Sequence, residues 1–579
     1  MTGPAGELTG ELDRRLLGRR AAPLGTQVLV VVDPELPGAA ELRTADRQAL
    51  ASVVADLAVR EAGEPFGPVL REPSATATVD RVASALRQRT DVPLAVVDGA
   101  TVATGTSLGD VVADPRPDAA VLRDADGTVV AVRVPSSQRG AVADALQPLL
   151  DREPRTRALQ LLADACAAAG VPLADRADDT FPVVLAADAG GLDTAWSALT
   201  GLDEARLRLR RAQRSDDGFL STFAVRPLSR RVTPRAVRWG VAPSTVTGVA
   251  LTLGLLAAVA YALAGTGHAT GWRVVGSVLL LASLVVDCVD GEVARSTRTV
   301  SARGGWLDVG ADRAKEYAVY AGLAAGVAGS ARAEWWLAFA AMALLVTRHF
   351  VDFGFAARRS VTAAGETRRR VAPAAVTERG GGVAEWSERT SARPAAKWAK
   401  RAVIMPVGER TLLLIVLGPL AGVRVTLAVL LALGVLAAAW TTAGRLGRTV
   451  LADRGASGAL SRAGWLQPAL ARAAEQAAVA GLVVWLAPSA LPGAFAWLAV
   501  VAVGLYDLVY RQRLAGVTRP GLLGGPVFGW PVRVLLVLAV LLAAGESAGF
   551  VLVAASAVLA AAVLTSSVRF WGAPVPSTP

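Results

Sequence analysis

Four aspartates, four arginines and four glycines crowd into the stretch VVDCVDGEVARSTRTVSARGGWLDVGADRAKEY, residues 285–317, where one apolar run ends and another begins. Ionisable groups at the edge of a bilayer are costly unless they bind something, so this charge points to a functional site. Read as a helix, the first part places Asp287, Asp290, Gly291, Ala294 and Arg295 at i, i+3, i+4, i+7 and i+8. One face therefore carries two carboxylates and a guanidinium, with two small residues leaving room for a ligand. On the following run Asp308 and Asp312 are four apart and share a face, and Gly304 lies a turn ahead of them. Ser296 to Arg303 is long enough to turn the two helices antiparallel, so all four carboxylates can converge on one point.

Four carboxylates that close need cations, and hard oxygen ligands select Mg²⁺ or Mn²⁺. Two such ions beside an arginine form a clamp for a diphosphate. The reaction class is phosphoryl transfer, in which the metals stabilise the attacking and leaving oxygens. A carboxylate at the margin could take the proton of an attacking hydroxyl.

The elements that must position these groups are membrane helices. Of the 579 residues, 53% are hydrophobic, and the mean hydropathy of +0.43 is too high for an ordinary soluble enzyme. Most of the excess falls after residue 240. Apolar runs are expected at 245–264, 273–292, 308–328, 334–355, 410–422, 424–442, 474–488, 491–510, 531–545 and 548–566, ten spans with the fifth the shortest. The net charge of +11 concentrates as arginine in alternate connections, the pattern of cytoplasmic loops facing anionic lipid and not that of a nucleic-acid binder. The opening MTGPAGELTGELDRRLLGRR has no apolar core like that of a signal peptide, so the N-terminal region and the aspartates are expected on the cytoplasmic side. Cys166 and Cys288 lie in different regions and imply neither a disulfide framework nor a cysteine metal site.

Ahead of the spans, residues 26–200 alternate β-branched runs with helical segments. TQVLVVVD, VPLAVVDG and FPVVLAAD read as buried strands ending in aspartate, and AVLRDADGTVVAVRV reads as a hairpin turning at Asp126-Gly127. The expected fold of residues 1–205 is α/β, Rossmann-like, with a mainly parallel sheet. Residues 206–240 turn basic. There Phe219, Leu220, Phe223, Val225 and Leu228 interleave with Arg226, Arg230 and Arg231, as in a helix lying in the headgroup layer.

The spacing D-x2-D-G-x2-A-R-x8-G-x3-D-x3-D, filled without substitution by Asp287, Asp290, Gly291, Ala294, Arg295, Gly304, Asp308 and Asp312, resembles the signature of the CDP-alcohol phosphatidyltransferases. The resemblance implies a six-span fold over residues 241–445, usually homodimeric, in which two Mg²⁺ or Mn²⁺ ions hold the diphosphate of a CDP-linked donor and an acceptor alcohol displaces CMP. By position it implies that Asp287, Asp290 and Asp308 are metal ligands, and that Asp312 is the general base and also touches a metal. Asp287, Gly291, Ala294, Arg295 and Gly304 would receive the CDP moiety. The lead-in with Pro243 and Thr247 also resembles the start of the family's first span.

The resemblance implies a bacterial plasma-membrane enzyme of phospholipid biosynthesis that transfers a phosphatidyl or related phosphoalcohol group from a CDP-linked donor, with CDP-diacylglycerol the expected one. The alternatives are a synthase of a soluble inositol phosphodiester from a CDP-inositol-like donor and a non-catalytic, nucleotide-sensing scaffold. A phosphorylated acceptor would need further cations, for which Arg313, Arg348, Lys400, Arg401 and Arg410 are candidates. The front domain resembles the sugar-nucleotidyltransferase domains of bifunctional enzymes that make CDP-inositol, with Asp98 in the metal-holding place. It lacks the G-x-G-x-R loop after its first strand, VVVDPELPGAAELR standing there instead, and so reads as a degenerate relative. Residues 446–579 are expected to form a further membrane domain of about four spans, with no carboxylate constellation of its own.

Overall fold

The computed structural model describes residues 27–31, 75–88, 92–112, 119–152, 157–176, 181, 183–185, 197, 199, 201–212, 218–219, 221–297, 299–327, 332–370, 403–452, 464–515, 523 and 528–573. The chain divides into two compact units, residues 1–213 with 296–299 and 579, and residues 214–295 with 300–578.

The first unit is α/β. Its elements run β1 (Gln27–Val31), α1 (Ala75–Arg87), β2 (Leu94–Asp98), β3 (Thr101–Ala103), α2 (Gly105–Val112), β4 (Ala119–Arg123), β5 (Val129–Val134), α3 (Arg139–Arg152), α4 (Ala158–Ala168), β6 (Leu173–Asp175), β7 (Val183–Leu185) and α5 (Glu204–Arg211). The main sheet has the order β1-β2-β5-β4-β6. Successive residues of β1 and β2 alternate between two buried layers. Leu29, Val31, Leu94 and Val96 pack with Val79, Leu86, Leu146 and Leu162 on one face, while Val28, Val30, Ala95 and Val97 pack with Leu108 and Val111 on the other. Burial on both faces is why these strands read as unbroken apolar runs.

The sheet is mixed, which corrects the expectation of a mainly parallel one. β1–β2 and β4–β6 are parallel, whereas β2–β5 and β4–β5 are antiparallel. The cause is the hairpin at Asp126-Gly127, which inserts its two strands into the middle of the sheet. Gly127, at φ 81°, supplies the left-handed residue that the turn requires. The third aspartate-ended run is also relocated, because β7 leaves the main sheet and pairs with β3.

The second unit is a multi-pass membrane domain. A short π-helical turn at Ser221–Val225 leads into α6 (Arg226–Arg238). Then come α7 (Pro243–Leu263), α8 (Ala269–Ser296), α9 (Ala302–Ala325), α10 (Arg332–Arg370), α11 (Val407–Leu420), α12 (Gly422–Ala452), α13 (Gln467–Leu486), α14 (Leu491–Ala515), α15 (Trp530–Ala544) and α16 (Ala548–Gly572). These ten helices, α7 to α16, lie where the ten apolar runs were expected. Seven described stretches are long and apolar enough to cross a membrane, and the last of them, Trp530–Gly572, contains both α15 and α16. α9 is too charged to count among the seven. At 14 residues, α11 is about 21 Å long and too short to cross unaided.

α7 and α9 pack at backbone contact. A Cβ on Gly322 of α9 would lie 2.2 Å from the carbonyl oxygen of Ala258 on α7. Lipid offers no hydrophobic drive between helices, so close approach over small residues is what holds such a pair. It also fixes the helix that carries Asp308 and Asp312.

Candidate active site

α8 delivers Asp287 and Asp290 near its C-terminal end. α9 begins opposite, at Ser301, whose hydroxyl accepts the Gly304 N–H at 3.0 Å and caps the helix. The chain thereby turns back as the loop length implies. Asp287, Asp308 and Asp312 each place a carboxylate oxygen within 4.8 Å of the others. Asp290 is not part of that group. It is buried, and its Oδ2 accepts a 2.6 Å hydrogen bond from the Thr247 hydroxyl on α7.

Lys315, one turn beyond Asp312, reaches back between the helices. Its Nζ is 3.0 Å from Asp312 Oδ1 and also donates to Asp287 Oδ1. The ammonium places a positive charge between carboxylates from two helices, which would otherwise repel each other. Three oxygen donors converging at this range suit a hard divalent cation, so the residues present fit the metal chemistry expected of them. A cavity of about 30 Å³ adjoins the pair, between Ser283 and Leu284 of α8, Lys315 and Glu316 of α9, and Thr411 and Leu414 of α11. Gly291 leaves its helix face bare, and the Arg295 guanidinium lies across it, 2.8 Å from where a Cβ would stand.

Glu316 is the hub of a second buried set. Arg410 of α11 donates to both of its oxygens, at 2.7 and 3.2 Å, while Arg313 donates at 2.7 Å and the Tyr320 hydroxyl at 2.8 Å. Arg410 also donates to the Met405 carbonyl at 2.7 Å. Two of the acceptor-phosphate candidates are therefore engaged with one carboxylate, and Arg348 donates to the Ile404 carbonyl. Lys400, Arg401 and the stretch following β1 lie outside the described residues.

Another carboxylate inside the motif, Glu292, fastens α6 to α8. It is almost fully buried and accepts from Arg226, Ser229 and Thr233, all on the inner face of α6; the Ser229 bond is 2.9 Å. Phe219, Phe223, Leu228, Val232 and Trp239 of this segment are exposed, while Val225 and Arg226 are buried. Lys315, Glu316 and Glu292 were not singled out from the sequence. The available signal was charge within apolar helices, Lys315 and Glu316 at i+3 and i+4 from Asp312 and Glu292 at i+2 from Asp290, which demands partners.

In the first unit, Asp98 ends β2 as expected. Its Oδ1 accepts from the Ala100 N–H at 2.9 Å and its Oδ2 pairs with Arg157. Among the described residues, the one cluster of acidic groups able to hold a metal is that of Asp287, Asp308 and Asp312.

Residues 240–376 match the family model of the CDP-alcohol phosphatidyltransferases, and residues 390–577 match that of a family of unknown function, DUF5941. No curated protein matches the chain.

Proposed function

From the premise that residues 240–376 form a CDP-alcohol phosphatidyltransferase domain, we propose that the protein moves a phosphatidyl group from CDP-diacylglycerol to an alcohol acceptor in phospholipid biosynthesis. The observation that carries this reading is the meeting of Asp287, Asp308 and Asp312 from two helices, flanked by Arg295 over the bare face of Gly291.

In this reading Asp287, Asp308 and Asp312, with Asp290 beside them on the Thr247 hydroxyl, would hold two divalent ions, Mg²⁺ or Mn²⁺. When bound, these ions supply positive charge for the donor diphosphate and the leaving phosphate. Gly291, Ala294, Arg295 and Gly304 form the surface for the cytidine diphosphate. Asp312 takes the proton of the acceptor hydroxyl. The oxygen then bonds to the phosphorus that carries the diacylglycerol, the bond from that phosphorus to the bridging oxygen breaks, and CMP leaves with the electron pair. Lys315 holds Asp287 and Asp312 in register, and the Glu316–Arg410–Arg313 set fixes α11 against α9. We place the site on the cytoplasmic face of a bacterial plasma membrane, because the Arg-rich connections lie on the side of the aspartates; a homodimer is what the family resemblance implies.

The test is CMP release by the purified protein with CDP-diacylglycerol and Mg²⁺ across a panel of alcohols. Asp312→Asn is expected to lower the rate by about 10²- to 10⁴-fold, the range for a lost general base. Release from CDP-inositol alone would favour the soluble-product synthase. Release from no donor, or release unchanged in Asp308→Asn and Asp312→Asn, would overturn the reading.

A further inference from the structure

The helix that carries Asp308 and Asp312 is gripped on both sides of that pair by helices from the segment matching the family of unknown function. Ahead of the aspartates, Trp306 stacks on Trp571 of α16, ring centroids 5.7 Å apart and planes 19° from parallel. Beyond them, the Tyr317 hydroxyl is 3.2 Å from that of Tyr506 on α14. The two contacts are eleven residues apart on α9, about 16 Å of helix, with Asp308 and Asp312 between them.

Both gripping side chains are themselves held. Trp571 is buried and its indole N–H donates to Asp507 Oδ1 at 2.9 Å, while Asp507 Oδ2 pairs with Arg511 at 2.7 Å. The Tyr506 hydroxyl is also 2.9 Å from His349 Nδ1 on α10, and its ring stacks on Phe350 at 5.8 Å. A side chain held by a directional hydrogen bond transmits position, whereas a generic apolar contact would only fill space. Aligned aromatic pairs and buried hydroxyl pairs at two separated points resist both sliding and rotation of α9. A rotation of α9 would carry its aspartates away from Asp287 on α8.

We propose that α14 and α16 set the position of α9, with Tyr506 and Trp571 as positioning residues for the metal-binding carboxylates. The family of unknown function would then be a structural partner built onto the transferase, which completes its site without touching substrate. The inference rests on the transferase reading for its consequence, but its geometry can be tested separately.

The experiment uses the full chain in detergent, comparing wild type with Tyr506→Phe, Trp571→Phe and Trp571→Ala. Two quantities are read: backbone amide exchange over residues 302–316 without metal, and Mn²⁺ affinity from the free-ion electron paramagnetic resonance signal. Tyr506→Phe removes one oxygen atom and keeps the ring, so the fold survives. Exchange in that window is expected to rise about 5- to 10-fold, and the Mn²⁺ Kd by a similar factor, in Tyr506→Phe and Trp571→Ala, as for the loss of one buried hydrogen bond. Trp571→Phe, which keeps a stacking ring, is expected to lie between Trp571→Ala and wild type.

Unchanged exchange in Tyr506→Phe would overturn the proposal even if Trp571→Ala failed to fold. Raised exchange with unchanged Mn²⁺ affinity would also overturn it, since the contacts would then be packing alone. Wild type that binds no Mn²⁺ would overturn the transferase reading instead, leaving the grip on α9 to be judged by exchange.

Discussion

Lys315 supplies a cation where the protein without metal would otherwise bring two carboxylates together. Its side chain is 8% exposed and that of Asp287 16%, so solvent screens the charges little. Removing one partner of a buried ion pair leaves the other charge uncompensated, at about 3–5 kcal/mol. Lys315→Met is therefore expected to melt well below wild type in EDTA and to recover much of the difference when Mn²⁺ is added. Thermal unfolding with and without the ion measures this directly. A Lys315→Met protein as stable as wild type in EDTA would mean that the ammonium does not neutralise the pair. Arg410 stands in the same relation to Glu316. A sequence scan for cations reads it as free to meet a phosphate, but its guanidinium is already spread across a carboxylate and a backbone carbonyl.

Among the elements, α7 and α9 meet at backbone contact. Gly322→Ala would put a methyl group 2.2 Å from the Ala258 carbonyl oxygen, a backbone atom that cannot rotate away. The helices must separate, at a cost of about 1–3 kcal/mol for an overpacked interface. The expected result is a lower melting temperature together with reduced CMP release, because the shift is carried along α9 to Asp312. Measured under the same conditions, Gly310→Ala on the same helix meets no atom within 4 Å and should change stability little. α6 is held by Glu292 through three donors, so one carboxylate ties it to the helix bearing Asp287 and Asp290.

Across the whole molecule, the α/β unit has a core of its own, layered on both faces of a mixed sheet. Cys166 reports on it. The thiol is fully buried on α4, and burial pushes it up to about 12, well above its ordinary value. The thiolate is the reactive form, so at neutral pH and on to mildly alkaline pH Cys166 is expected to resist maleimide. With Cys288→Ser removing the other thiol, labelling should begin only as denaturant unfolds this unit. A labelling midpoint separate from the loss of helical signal would give the stability of the α/β unit on its own. Rapid modification of the native protein would contradict the burial.

The sequence alone determined the parts of this architecture that depend on neighbours in the chain. Hydrophobic runs placed ten helices, continuous apolar runs placed β1 and β2, the Asp126-Gly127 turn placed the β4–β5 hairpin, and intervals of three and four put the aspartates on shared helix faces. Tertiary structure decided what lies between distant segments. It put antiparallel pairs in the middle of the sheet and parallel pairs at both edges, moved β7 to β3, set Asp290 against Thr247 and bound Glu316 to Arg410 across 94 residues. It also joined Tyr317 to Tyr506 across 189. Periodicity fixes which face a side chain occupies, because backbone geometry repeats over one turn. Which partner that face meets is set by packing among all the helices, and no local pattern encodes it.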